Sequence, residues 1–137
     1  MKVSIITIVF NNVDFIESAI RSVLGQKYSD IEYIVIDGGS TDGTLCILDK
    51  YKERLSKLVS EPDKGIYDAM NKGIELATGD IVGLLNADDI YYDDFVVQDI
   101  VAKFDETIDC IYGNLVYVDR YDIKNVVRNW VSCDFKK

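Results

Sequence analysis

The sequence predicts an α/β fold, a mostly parallel sheet with helices on both faces. Three observations predict it. Short apolar runs rich in β-branched residues alternate with segments whose apolar residues recur at helical spacing. Glycine, asparagine and aspartate punctuate the joins. Strands separated by helices need long crossovers, and such crossovers build parallel sheets.

The elements follow in order. "VSIITIVF" (3–10) reads as a strand buried on both faces. Asn11 and Asn12 stop it, and "VDFIESAIRSVLGQ" follows with Phe15, Ile16, Ala19, Ile20, Val23 and Leu24 on one helical face. Asn12 is expected to cap this helix, and Gly25 to take a left-handed position after its end. "EYIVID" (32–37) is the second strand. "GGSTDGT" is a turn that enters the helix "LCILDKYKERL", with Ser40 as its expected cap and its amide end favouring anions. "KLVSE" (57–61) is a third strand, and "GIYDAMNKGIELATG" (65–79) a helix closed by Gly79. "IVGLL" (81–85) is a fourth strand and "DFVVQDIVAKF" (94–104) a fourth helix. "DCIYGNLVYVDR" and "NVVRNWV" read as two strands around a turn at 121–124. With no repeat and one proline, residues 1–137 are expected to form a single domain.

Bulk properties narrow the function. The chain carries a formal charge of −9, which speaks against nucleic acid and against docking on an anionic membrane by charge alone. With 0 His, histidine metal sites, histidine bases and Ser-His-Asp triads are excluded. Cys46, Cys110 and Cys133 are scattered with no CxxC, as expected of reduced cysteines in a cytosolic core. The opening run is strand-length rather than a signal peptide, and no stretch approaches the ~18–20 apolar residues of a membrane span.

In parallel α/β sheets ligands bind at the carboxyl ends of the strands. This chain puts Asn11 and Asn12 there after strand 1, Asp37 after strand 2, Glu61 and Asp63 after strand 3, and Asn86, Asp88 and Asp89 after strand 4. Asp37 precedes Gly38-Gly39, where glycine lets backbone approach a ligand closely or turn through positive φ. A solvated turn reads equally well from spacing alone. Asp88 and Asp89 repel each other, and a hard divalent cation would neutralise them; Mg²⁺ typically uses one or two carboxylates and fills its shell with water and substrate phosphates. Asp93 and Asp94 read as acids at a helix start. Lys64, Asp68, Asn71 and Lys72 lie on or beside the helix after strand 3, where the lysines could meet phosphate or simply face solvent. Tyr91 and Tyr92 could stack on a sugar or base, though aromatics beside a helix start are more often core.

"VSIITIVFNN", "VIDGGSTDGT", "SEPDKGIYDAMNKGIELATGD" and "LLNADD", in this order, resemble the family 2 glycosyltransferases of the Rossmann-like GT-A fold. The nearest branch is the bacterial one that builds exopolysaccharide, colanic-acid-like or O-antigen chains. The resemblance implies inverting transfer of a sugar from a nucleotide-diphospho-sugar donor, UDP-linked in the first instance, to a saccharide or lipid-linked saccharide acceptor. Mn²⁺ or Mg²⁺ would be the cofactor. Thr7, Val9 and Asn11 would line the nucleotide pocket. Asp37 would hydrogen-bond base or ribose, with Gly39 beside it. Asp63 and the helix after it, including Asn71, would border the base and diphosphate. Asn86, Ala87 and Asp88 would occupy the DxD position, Asp88 contacting the metal.

Two departures stand out. Asn86 replaces the first acid of DxD, and Met70 stands where many members carry arginine. Family members need roughly another hundred residues for the acceptor site and a general base, which must reach the acceptor hydroxyl. Asp119 and Asp134 are late acids outside any base motif. The expectation is therefore a chain truncated at its C-terminus that holds the donor half, cytoplasmic or at the inner face of the membrane. An open sheet edge would favour association, including a homodimer. The alternative is a non-catalytic nucleotide-sugar-binding or assembly module. A receiver or phosphatase domain would need an aspartate directly after strand 1, where this chain has Asn11 and Asn12.

Overall fold

The computed structural model describes residues 1–133. Asp134 lies outside them. The chain forms two compact units, one spanning Met1–Ala102 and one starting at Lys103.

The first unit is a four-stranded parallel sheet of β1 (Val3–Val9), β2 (Ile31–Asp37), β3 (Lys57–Ser60) and β4 (Ile81–Leu84), in the order β3-β2-β1-β4. The helices are α1 (Ile16–Leu24), α2 (Thr44–Tyr51, continued by a 3₁₀ turn Lys52–Arg54), α3 (Ile66–Leu76) and α4 (Val96–Val101). All seven residues of β1 are buried, as their unbroken apolar run demands of a central parallel strand. The outer strands β3 and β4 are partly exposed.

Side chains alternate across the sheet. On one face Ile6, Ile8, Ile34 and Ile36 pack with Ala69 of α3, flanked by Val59, Met70, Leu76 and Ala77. Met70 thus packs, half-buried, against this core. Ile5, Thr7, Tyr33 and Val35 point the other way, towards the side on which right-handed crossovers place α1 and α2. There α1 buries Ile16, Ala19, Ile20 and Val23. The connection after β3 returns past β2 and β1 to β4, so the strand order reverses between β1 and β4.

The amino ends of the strands are tied by a buried carboxylate. Glu32 accepts from Ser4 Oγ at 2.6 Å, Lys2 Nζ at 3.0 Å, and the Thr78 backbone N–H and hydroxyl at 2.8 Å each. Burial opposes its charge, yet these hydrogen bonds win and bring its pKa down to about 2. Gly79 donates to Ser4 Oγ at 2.8 Å, and a Cβ there would stand 2.7 Å from Ser4 N. Gly79 is therefore a packing glycine rather than the closure of α3, which already ends at Leu76.

Other local expectations change too. Gly25 has φ −83° and stays right-handed. The Asn12 backbone carbonyl, not its side chain, receives Ile16 N–H. Ser40 does not cap α2, whose N-cap is Gly43. The three cysteines are exposed rather than in the core. Tyr91 goes inward, its phenol pushed up to about 12 by burial, while Tyr92 is exposed.

The second unit contains an antiparallel hairpin of β5 (Leu115–Val118) and β6 (Val126–Trp130), shorter than the runs read from sequence. Asp119 Oδ1 accepts Tyr121 and Asp122 N–H, so this acid belongs to the turn. Arg128 lies 5.7 Å from the Tyr117 ring centroid. Among the described residues no helix is long and apolar enough to cross a membrane.

Candidate functional site

A cleft of about 890 Å³ opens at the carboxyl ends of the strands. This is the rim where the reversal of strand order leaves the loops apart. Every strand of the first unit contributes to it. The end of β1 gives Ile8, Val9, Phe10 and Asn12, and the turn after β2 gives Gly38 and Gly39. The segment after β3 gives Pro62 and Asp63, α3 gives Ala69, and the turn after β4 gives Asn86, Ala87 and Asp88.

Of the residues singled out from sequence, Val9, Asn12, Gly38, Gly39, Asp63, Asn86, Ala87 and Asp88 come together here. Four others do not line the cleft. Thr7 is fully buried and accepts from the Tyr33 phenol at 3.0 Å. Asn11 is exposed with φ 48°, a left-handed position that asparagine tolerates, and its Oδ1 accepts Thr41 N–H at 2.8 Å. Asn71 lies exposed on α3. Asp37 is fully buried, receiving Gly39 and Ser40 N–H at 3.1 Å and Ser60 Oγ at 2.7 Å on Oδ2. It shapes the glycine turn from beneath. Gly39 has φ 86°, and a Cβ there would press on Pro62 N at 3.3 Å.

Among the cleft residues, the sequence reading missed Phe10 and took Gly38 as a glycine of close approach or positive φ. Phe10 is 62% exposed although it directly follows a fully buried strand. Gly38 is the floor between Phe10 and Asp63: a Cβ on it would stand 2.6 Å from Asp63 Oδ2 and 3.4 Å from Phe10 Cδ2. Only a bare glycine lets ring and carboxylate converge there. For Phe10, the aromatic preceding the Asn-Asn stop was the signal available.

Asp63 Oδ1 accepts Gly65 N–H at 2.8 Å, which holds the carboxylate in place. On the β4 side, Asn86 Nδ2 donates to Asp89 Oδ2 at 2.9 Å, and Asp89 N–H returns to the Asn86 carbonyl. The amide of Asn86 thus relieves part of the Asp88–Asp89 repulsion, which the sequence reading gave to a metal alone. Asp88 is exposed in the cleft. Lys72 is engaged by Glu61 at 2.9 Å and Asp68 at 3.4 Å, and these acids raise its pKa. Lys64 is exposed, its backbone N–H donating to Asp68. Asp93 accepts Phe95 N–H just before α4, and Asp94 faces Lys27 at 3.8 Å.

A family model described as Glycosyl transferase family 2 matches residues 4–132. The chain belongs to glycosyl transferase family 2. Among relatives, an uncharacterized glycosyltransferase of Mycobacterium tuberculosis is 43% identical over 107 residues, covering 77% of this chain and 39% of that protein. A PGL/p-HBAD biosynthesis glycosyltransferase of Mycobacterium bovis is 34% identical, covering 82% and 46%. The chain thus spans less than half the length of these relatives. The first unit's parallel sheet and helices match solved structures of the GT-A fold. Staphylococcus aureus TarS (residues 1–349), solved with UDP-GlcNAc, is 29% identical with a TM-score of 0.68, covering 74% of this chain and 30% of that one. The mannosyltransferase PcManGT from Pyrobaculum calidifontis, solved with GDP-Man and Mn²⁺, is 28% identical with a TM-score of 0.72, covering 89% and 38%.

Proposed function

We propose that this family 2 chain binds the donor of an inverting glycosyltransferase that moves a sugar from a UDP-sugar to a saccharide acceptor in cell-surface polysaccharide synthesis. The observation that carries this reading is the division of the cleft. An exposed aromatic ring, a carboxylate and a bare glycine converge on one side, and Asp88 stands on the other. A planar base fits against Phe10, where ring faces stack. Asp63 Oδ2 is an acceptor, which suits a base with an edge N–H such as uracil N3–H. The diphosphate then runs towards Asp88. The neighbours solved with UDP-GlcNAc and with GDP-Man support a nucleotide-sugar in this class of cleft.

The donor set on the β4 side suits a hard cation. Asp88 offers one exposed carboxylate, and Mg²⁺ or Mn²⁺ sites of this kind complete themselves with water and phosphate oxygens. Asp88 would hold the ion, with Asn86 beside it. Bound there, the ion supplies positive charge against a departing diphosphate. Chemically, an acceptor hydroxyl gives its proton to a general base as its oxygen attacks the anomeric carbon, a new C–O bond forms, and the bond to the diphosphate breaks with inversion, the diphosphate leaving with the electron pair. The cleft residues bind and orient the donor; the general base and the acceptor site are assigned to none of them. The reading places the protein in the cytoplasm, where it would use soluble nucleotide-sugars, with the acceptor a saccharide or lipid-linked saccharide.

Calorimetry with UDP, with and without Mn²⁺, tests the reading. UDP binding strengthened by Mn²⁺, with the metal effect lost in Asp88→Ala, is the expected result. No binding of UDP, GDP or dTDP under any metal condition would overturn it. Turnover with an acceptor separates an enzyme from a binding module.

A further inference from the structure

The "STDGT" stretch, which sequence reading treats as a turn and helix cap, makes a different set of contacts. Three consecutive backbone N–H groups of the β1–α1 loop end on its side chains. Asn11 N–H donates to Ser40 Oγ at 2.8 Å, Asn12 N–H to Thr44 Oγ1 at 3.0 Å, and Val13 N–H to Asp42 Oδ2 at 3.0 Å. In return Thr41 N–H donates to Asn11 Oδ1 at 2.8 Å. Inside this strap runs a relay. The Thr44 hydroxyl donates to Asp42 Oδ1 at 2.6 Å, which leaves its lone pairs free to accept Asn12 N–H. Ser40 and Thr44 are buried, so no water replaces them at little cost, and each lost partner strands a donor.

The loop so held carries Phe10 and Asn12, both of which line the cleft, and Asn11 between them sits at positive φ. None of Ser40, Asp42 or Thr44 lines the cleft itself. We propose that Ser40, Asp42 and Thr44 are positioning residues that fix the aromatic wall of the donor site through the backbone of Asn11–Val13. This rests on the donor-binding reading above. Among the described residues no hydrogen bond joins the strap to β4, from whose end Asp88 hangs, so the strap acts on the base side of the cleft.

The test measures uridine, UDP and UDP with Mn²⁺ binding by calorimetry for the wild type, Thr44→Val, Asp42→Asn, Ser40→Ala and Thr44→Ser, with urea melts as a check on folding. Thr44→Val and Asp42→Asn should weaken uridine and UDP by the same factor, about tenfold, as expected for a lost hydrogen bond that holds the wall. The gain from Mn²⁺ should keep its wild-type factor, and Thr44→Ser, which preserves the relay, should bind like the wild type. Ser40→Ala provides a second reading should Thr44→Val fold poorly. Wild-type uridine affinity in the folded variants would overturn the proposal. So would an equal loss in Thr44→Ser, or a collapse of the Mn²⁺ factor alongside the base contact. If the wild type bound no uridine nucleotide at all, the donor reading itself would fall and take the strap's role with it.

Discussion

Replacing Glu32 with glutamine tests how the sheet is held at the end away from the cleft. The carboxylate accepts four hydrogen bonds, from Ser4, Lys2 and twice from Thr78. An amide keeps the shape but puts two donors where one oxygen stood. If that nitrogen faces Thr78 N–H, two donors oppose; if it faces Lys2, an ammonium meets an amide N–H. The fall of the carboxyl pKa from 4.5 to about 2, at about 1.4 kcal/mol per pH unit, sets a ceiling of roughly 3.5 kcal/mol on the charge's contribution. Lys2 is 37% exposed, so solvent screening trims this to about 1–2 kcal/mol. With a urea slope of about 1–3 kcal/mol/M, the midpoint of Glu32→Gln should fall by roughly 1 M at pH 7. The pH dependence has a definite sign. The folded carboxyl has the lower pKa, so its contribution is complete above 4.5 and disappears as pH falls through about 2. The gap between wild type and variant should therefore close between pH 5 and pH 2, while the other carboxylates act equally on both proteins. A gap that is absent at pH 7, or constant down to pH 2, would refute the reasoning.

Three further outcomes are expected. Gly73→Ala adds a Cβ 2.4 Å from Ile6 Cγ2; the overpacking cost of about 1–3 kcal/mol should outweigh the roughly 1 kcal/mol gained in helix propensity, lowering the urea midpoint. Gly38→Ala pushes Asp63 aside, since its Cβ would sit 2.6 Å from Oδ2. UDP affinity should drop about tenfold in calorimetry with the melting temperature little changed, because the half-buried Asp63 side chain can rotate away at the cost of its hydrogen bond from Gly65 N–H. Phe10→Ala removes an exposed ring, so it should weaken UDP by one to two orders of magnitude while leaving stability within about 0.5 kcal/mol.

Much of the fold was legible because periodicity reports burial. β1 and β2 are near-continuous apolar runs, and only a central parallel strand makes such a run stable. The site was legible as a rim: Asp63, Asn86 and Asp88 each follow a strand end and all reach the cleft. What could not be read was side-chain direction. Asp37 and Asp63 look alike as acids after strands, yet one is buried beneath its turn and the other faces the cleft. The difference lies in contacts to Ser60 and across Gly38, which are far apart in sequence. Thr7 likewise sits one residue out of phase with the cleft and meets Tyr33 instead. The helix end at Gly25 was read correctly but not its right-handed φ, and α3 stops at Leu76, short of Gly79, which serves close packing.

The buried Glu32 cluster and the open cleft sit at opposite ends of one central strand. Ser4, bonded to Glu32, and Phe10, in the cleft, are six residues apart on an extended chain, a separation of about 20 Å. Changes that far apart, with no shared partners, combine additively in their effects on stability. Drift in the loops of the rim therefore leaves the anchoring end untouched. In this layout the loops that line the cleft can change in sequence while the anchoring cluster at the other end of β1 keeps its contribution to stability.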